Sequence, residues 1–317
     1  MTSEYILPIL IGFFISAILG QRMLPALVKL KFGQFVREDG PESHLKKQGT
    51  PTMGGIIFIL ASTVSSFIFM GQDATVLPVL LTMLGFGAVG FVDDYLKVIK
   101  KQSEGLKAYQ KFGLQAVISL GFLVYIVVIL KQDTSIIIPF TYGYEIDLSY
   151  SYIPLMLVVM LGTVNGVNLT DGLDGLATSV TSIVAFFFVI IGATYGFVGG
   201  IFAAIVLGSL LGFLLLNTYP AKVFMGDTGS LALGGFVVAT AIITKLPLFI
   251  LLFGVIYLVE TVSVILQVGY YKKTNKRLFK MAPLHHHYEL KGVSETRIVV
   301  YFSLITIIMS MIAILAL

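Results

Sequence analysis

Ten apolar runs of roughly membrane-spanning length divide this chain, at residues 3–22, 52–70, 75–92, 111–131, 152–168, 174–195, 197–217, 230–245, 247–270 and 296–316. A hydrocarbon core about 30 Å thick is crossed by about 20 residues of helix. Backbone polar groups find no water there, so only helices and closed barrels satisfy them. The runs do not alternate polar with apolar, which selects helices. Charged residues make up only 12% of the sequence and mean hydropathy is +0.95. Soluble domains carry roughly 25% charged residues, so this chain could not coat a water-facing surface. The expected fold is an all-α polytopic integral membrane protein of about ten transmembrane helices. The runs at 152–168 and 230–245 are short and contain glycine, which predicts a tilt or a break. Met1–Gly20 has neither a basic leading region nor a small-residue cleavage site, so it reads as a first helix rather than a signal peptide.

Orientation follows from the cations. All 21 Lys and Arg except Lys131 and Lys245 lie in or beside the connections 21–51, 93–111, 217–229 and 271–295. The positive-inside rule makes that side cytoplasmic, and ten spans then put both termini outside. The net charge of +4 is accounted for by this topology and carries no nucleic-acid inference. The absence of cysteine excludes disulfides, a thiolate nucleophile and Cys-based metal sites. Among the outer connections only 132–151 is long; Ile136, Ile137 and Ile138 precede Pro139, and Tyr142-Gly143-Tyr144 supplies a turn, which predicts a small external β-hairpin.

Five of the 17 acids gather in three groups on the cytoplasmic side. Asp93-Asp94-Tyr95-Leu96-Lys97 ends the third run; adjacent carboxylates repel unless a cation or proton intervenes, although Asp93 and Lys97 could simply form a helix-end pair. Asp171 and Asp174 stand in Asn165-Gly-Val-Asn168-Leu-Thr-Asp171-Gly-Leu-Asp174-Gly175, where capping of the next helix is the plain alternative. Asn168-Leu169-Thr170 fits a glycosylation sequon but lies on the wrong side. The third group runs from Asn217 through Pro220 and Phe224 to Asp227 and Ser230, with Thr228 or Ser230 as a helix cap and Phe224 suited to stacking on a base. His285, His286 and His287 form a further cluster in the last inner loop. Zinc fits the residue type but not the spacing, so contact with phosphate is the better reading, with solvated loop histidines as the alternative. Gly85-Phe-Gly-Ala-Val-Gly90 matches a dinucleotide fingerprint in letters only, since it lies inside an apolar run; small residues for helix packing explain it. Glu260 falls within the ninth run, and Ser263 and Gln267 extend it into a polar stripe that suits packing or a cavity lining.

Carboxylates, lysines and histidines on one membrane face suit anionic substrates, and hard divalent ions use few protein oxygens beside substrate phosphates. Phosphoryl transfer between a nucleotide-linked donor and a lipid phosphate fits this inventory. A ten-span transporter is the alternative class, but transporters place their sites at the midplane of repeats, and no repeat is found here.

The motifs Lys47-Gln-Gly-Thr-Pro-Thr52-Met-Gly-Gly55, Asp93-Asp-Tyr-Leu-Lys97, Asn168-Leu-Thr-Asp-Gly-Leu-Asp-Gly175, Phe224-Met-Gly-Asp-Thr-Gly-Ser230 and Pro283-Leu-His-His-His287 carry a resemblance nearly end to end. The chain resembles the phospho-N-acetylmuramoyl-pentapeptide-transferases, a branch of the polyprenyl-phosphate N-acetylhexosamine-1-phosphate transferase superfamily. That resemblance implies a single transmembrane catalytic domain over residues 1–317. It implies transfer of phospho-MurNAc-pentapeptide from UDP-MurNAc-pentapeptide to undecaprenyl phosphate with Mg²⁺, giving lipid I and UMP. A homodimer in the bacterial cytoplasmic membrane is also implied. Under the resemblance Asp227 is the metal ligand, and Asp93 and Asp94 lie nearest the acceptor phosphate. Asn168, Asp171, Asp174, Asn217 and Phe224 form the nucleoside side. Lys47, Thr52, Lys97, Lys111 and Gln267 make polar or phosphate contacts, and His285, His286 and His287 take the sugar-phosphate side. The related branch that uses UDP-GlcNAc is the alternative within the enzyme class.

Overall fold

The computed structural model of the chain describes residues 3–29, 49–69, 71, 73–100 and 104–317; Lys47 lies outside the described residues. The apolar runs form α1 (Ser3–Lys29), α2 (Gly55–Phe69), α3 (Val76–Lys100), α4 (Ala108–Val124, continued by a π-helical turn Tyr125–Ile129), α5 (Tyr152–Thr170), α6 (Leu176–Tyr195), α7 (Gly200–Asn217) and α8 (Gly226–Ile243). They are followed by α9 (Ile250–Phe253), α10 (Val255–Thr274), the short α11 (Leu284–Glu289) and α12 (Glu295–Leu315). Among the described residues eight helices are long and apolar enough to cross a membrane, and Gly55–Phe69 is a shorter apolar helix. A further apolar pair, Pro247–Phe253 and Val255–Thr274, is bent by 85°, the form of a broken span or of a re-entrant loop.

That bend is not where glycine content placed it. The runs at 152–168 and 230–245 fold as the unbroken α5 and α8, and the ninth run breaks instead. Pro247 opens its first piece, and at Gly254 an added Cβ would stand 2.7 Å from the Ile250 carbonyl oxygen. In α8 the small residues serve close packing: a Cβ at Gly234 would lie 2.6 Å from the Val164 Cα of α5.

Burial sorts the helices into two layers. The spanning windows of α6, α7 and α8 are 72%, 78% and 89% buried, against 22% for α1 and 28% for α12. The outer helices expose Phe14, Ile18, Ile308, Met311 and Leu315. Such a perimeter has lipid as its solvent, so the protein is a polytopic membrane protein. At one end of the bundle β1 (Ser135–Ile137) and β2 (Glu145–Asp147) pair antiparallel, Ile136 opposite Ile146, as the turn at Tyr142–Tyr144 predicts. Ile137 N–H donates to the Lys245 carbonyl, which ties the hairpin to the end of α8.

Candidate active site

The site assembles at the opposite end, where α3 finishes and α8 begins. Gly90 permits the approach: an added Cβ there would lie 2.0 Å from the Asp227 carbonyl oxygen. One turn later Asp94 receives the start of α8. Its Oδ1 accepts the Asp227 N–H at 3.2 Å, and its Oδ2 accepts the Thr228 N–H at 2.9 Å and the Thr228 hydroxyl at 2.7 Å. First-turn N–H groups have no partner within their own helix, and here α3 supplies the cap. The expected cap from Thr228 or Ser230 is thus replaced, because Thr228 donates to Asp94 and Ser230 donates to the Gly226 carbonyl.

Asp93, Asp94 and Asp227 bring one carboxylate oxygen each within 4.8 Å of one another. Two like charges 4 Å apart repel by about 4 kcal/mol at an effective dielectric near 20, so such a trio needs cations among it. Lys97 Nζ lies 2.7 Å from Asp93 Oδ2 and 2.8 Å from Asp227 Oδ2, and Lys111 Nζ lies 2.9 Å from Asp227 Oδ2. Asn168 donates to Asp227 Oδ1 at 2.8 Å and to the Ser230 hydroxyl at 2.8 Å. Leu106 N–H donates to Asp93 Oδ1 at 2.8 Å, folding the α3–α4 connection over the site. The oxygen-only donor set suits a hard divalent ion. Since Asp94 is engaged by α8, Asp93 Oδ2 and Asp227 Oδ2 are the oxygens best disposed to hold one.

Around this centre stand the other motifs. The Pro51–Gly55 segment runs against residues 224–225: Phe224 N–H donates to the Pro51 carbonyl, and Gly54 and Gly55 N–H donate to those of Phe224 and Met225. Thr52 is buried beside Gly226. Phe224 is half-buried at the rim. Asp171 adjoins the centre; burial pushes its carboxyl well above the usual range, and the charges of Asp227, Asp94 and Asp174 push the same way. The N-cap of α6 is Gly175, and Asp174 accepts the Ala221 N–H at 2.9 Å. Asn217 is buried, accepting from Thr178 and donating to the Val223 carbonyl, so it shapes the loop that carries Phe224.

The histidines sit on one flank. His285 is fully buried, its Nδ1 3.2 Å from Glu260 Oε1. Its Nε2 packs where a Cβ on Gly172 would stand, which joins α11 to the Asp171 loop. His286 pairs with Glu289 at 2.7 Å. His287 Nδ1 accepts the Lys280 N–H at 3.0 Å, and burial with the nearby Lys291 and Lys280 holds its pKa below the ordinary value. The polar stripe of α10 grips this loop. Glu260 accepts the N–H groups of Leu284 and His285 at 2.7 and 3.3 Å, while Gln267 accepts those of Leu278 and Phe279 and donates to the Phe279 carbonyl.

Gln115 joins the site without standing in any of the motifs, and Ser230 enters it as a partner of Asn168 rather than as a helix cap. Gln115 is fully buried and exchanges hydrogen bonds with Asn165, below the Lys111–Asn168 contact. The signal was present: Lys111, Gln115 and Ser119 recur every four residues along one face of α4.

Residues 76–245 match the model of glycosyl transferase family 4, and residues 47–59 match phospho-N-acetylmuramoyl-pentapeptide-transferase signature 1. The enzyme of that name from Clostridium perfringens (strain SM101 / Type A) is 51% identical over 98% of this chain and 96% of its own length. The chain belongs to the phospho-N-acetylmuramoyl-pentapeptide-transferase family. Family members from Clostridium botulinum (strain Alaska E43 / Type E3) and Clostridium kluyveri (strain NBRC 12016) are 51% and 49% identical over 98% and 99% of the chain, covering 95% and 99% of their own lengths. The family signature at 47–59 ends on α2, and its described part is the segment that braces Phe224 and Met225 beside Asp227.

Proposed function

We propose that the protein transfers phospho-MurNAc-pentapeptide from UDP-MurNAc-pentapeptide to undecaprenyl phosphate, forming lipid I and UMP, on the cytoplasmic face of a bacterial inner membrane. The convergence of Asp93, Asp94 and Asp227 with Lys97 and Lys111 at the helix ends carries this reading. Such a centre suits a diphosphate-bearing substrate, and the helices that carry it expose apolar side chains such as Phe91, Val92, Phe112 and Val117 that suit a polyprenyl chain.

The acceptor is a phosphate monoester whose second pKa lies near ~6, so at neutral pH it is largely dianionic and already a nucleophile. Its oxygen attacks the sugar-bearing phosphorus, the bond from that phosphorus to the bridging oxygen breaks, and UMP departs with the electron pair. Mg²⁺ held by Asp227 with Asp93 would neutralise charge on the departing phosphate. Lys97 and Lys111 counter the diphosphate, Asn168 orients Asp227, and Asp94 fixes α8 against α3. Phe224 stacks on uracil, with Asp171 and Asp174 on the nucleoside side and the histidines toward the sugar phosphate. The engagement of Asp94 by α8 and of Asp93 Oδ1 by Leu106 favours direct transfer over a covalent aspartyl intermediate. Asp93→Asn then loses activity with no adduct trapped; a labelled phospho-sugar enzyme isolated from wild type without acceptor would sink the direct route. The reading includes a homodimer, tested by particle mass in lipid nanodiscs.

The deciding assay is UMP release by purified protein with undecaprenyl phosphate and Mg²⁺, offered UDP-MurNAc-pentapeptide and UDP-GlcNAc separately. Turnover of the first alone is expected, and preference for the second would overturn the substrate assignment.

A further inference from the structure

We propose that the Lys97 ammonium is a built-in competitor for the divalent cation: it occupies the seat between Asp93 and Asp227, and ion loading requires it to swing away. The inference rests on the metal-assisted reading above, and its test does not depend on turnover.

Oxygen-by-oxygen accounting leads there. Asp94 gives both oxygens to the first turn of α8. Asp93 Oδ1 holds the Leu106 N–H, and Asp227 Oδ1 holds the Asn168 amide. What remains is the facing pair, Asp93 Oδ2 and Asp227 Oδ2. Lys97 Nζ touches both, at 2.7 and 2.8 Å. A divalent ion would draw on the same two oxygens. The ammonium competes for their lone pairs and opposes the ion by like charge at close range.

Lys97 is also the lysine able to leave. Its side chain is 31% exposed against 18% for Lys111, and it springs from the last turn of α3 on a flexible stem. Lys111 reaches Asp227 and Asn168 but has no contact with Asp93, so it flanks the seat without filling it. Displaced by the ion, the Lys97 ammonium becomes free to meet phosphate oxygens of a bound diphosphate. Ion loading and diphosphate binding are thereby coupled through one side chain, and the substrate-free protein holds its ion weakly.

Mn²⁺ binding to detergent-purified, substrate-free protein, followed by electron paramagnetic resonance, tests this on wild type, Lys97→Met and Lys111→Met. Lys97→Met is expected to bind Mn²⁺ at least tenfold more tightly than wild type, and Lys111→Met to gain less. Equal or weaker binding by a folded Lys97→Met would overturn the proposal even if UMP release proceeds as expected. Should Lys97→Met fail to fold, wild type decides alone. Reductive methylation mapped by mass spectrometry should modify Lys97 more readily once Mn²⁺ is added, because the ammonium has been released. Unchanged or reduced labelling of Lys97 on adding Mn²⁺ would equally overturn it.

Discussion

Among the described residues, Lys97 and Lys245 each stand between carboxylates at opposite ends of the bundle, Lys97 with Asp94 Oδ1 as a third neighbour at 3.8 Å. Lys97 spans Asp93 and Asp227 at 2.7 and 2.8 Å, and Lys245 spans Asp133 and Glu145 at 2.8 Å each. The distances are nearly the same and the surroundings are not. Asp93 is 4% exposed and Asp227 18%, whereas Asp133 is 63% and Glu145 41%. Water screens the second cluster, so its net contribution is small. The first is walled by helices, and breaking it leaves an uncompensated charge. An ion-pair motif therefore tells little until its burial is known, and burial here follows from how closely α3 approaches α8.

The sharpest way to break the comparison is to neutralise one acid at each end. Asp227→Asn should lower turnover by about 10³-fold, the scale for losing a preorganised electrostatic contact, with the fold retained. Asp133→Asn should leave UMP release unchanged. Equal effects from the two would show that burial does not separate the clusters. Gly90→Ala tests the approach itself. A methyl group 2.0 Å from the Asp227 carbonyl must push α3 from α8. Overpacking of this kind costs about 1–3 kcal/mol, and turnover should fall by more than the lost stability explains, because Asp93 and Asp94 move with the helix. Thermal unfolding and UMP release on the same sample separate the two effects. Next in size is Glu260→Ala, which strips the partner from two N–H groups at about 1–3 kcal/mol each. It should loosen α11 and lower turnover by about tenfold, with partial rescue in Glu260→Gln. Full activity in Glu260→Ala would show that the histidine flank needs no such anchor.

The bundle was legible because lipid imposes a simple demand: each of the ten apolar runs carries a helix, and the hairpin lies where Pro139 and Gly143 place it. The grouping of Asp93, Asp94 and Asp227 was legible too, since few acids occur and these sit at run ends. What escaped depends on partners distant in sequence. Asp94 as the cap of α8 joins residues 133 positions apart, and local pattern points only to Thr228 or Ser230. The break at Gly254 escaped because glycine also serves close helix packing, as in α8, and composition alone does not distinguish the two uses. Glu260 stood out as a charge within an apolar run, but two of its partners, the backbone N–H groups of Leu284 and His285, carry no signal in the residue letters.

The smallest expected effect belongs to the hairpin cluster and probes its exposure directly. Hydrogen bonds from Lys245 first, and then from Ser135, hold Asp133 and Glu145 below their ordinary carboxylate values. Partial burial opposes the charge on Lys245, yet its bonds to the two acids raise it. A carboxylate with a depressed folded-state pKa stabilises the fold above its unfolded value, about 4, and that gain is lost as pH falls through the lower folded value. Lysine contributes with the opposite sign, its gain fading only as pH rises past about 10. The cluster should therefore be intact from about pH 5 to 9 and dissolve in acid. Across that plateau Lys245→Met should destabilise by less than about 1 kcal/mol, seen as a small drop in the thermal transition. The difference from wild type should shrink below pH 4 as the acids protonate. A penalty constant from pH 3 to 8 would mean that Lys245 acts by packing the hairpin onto α8 and not by charge.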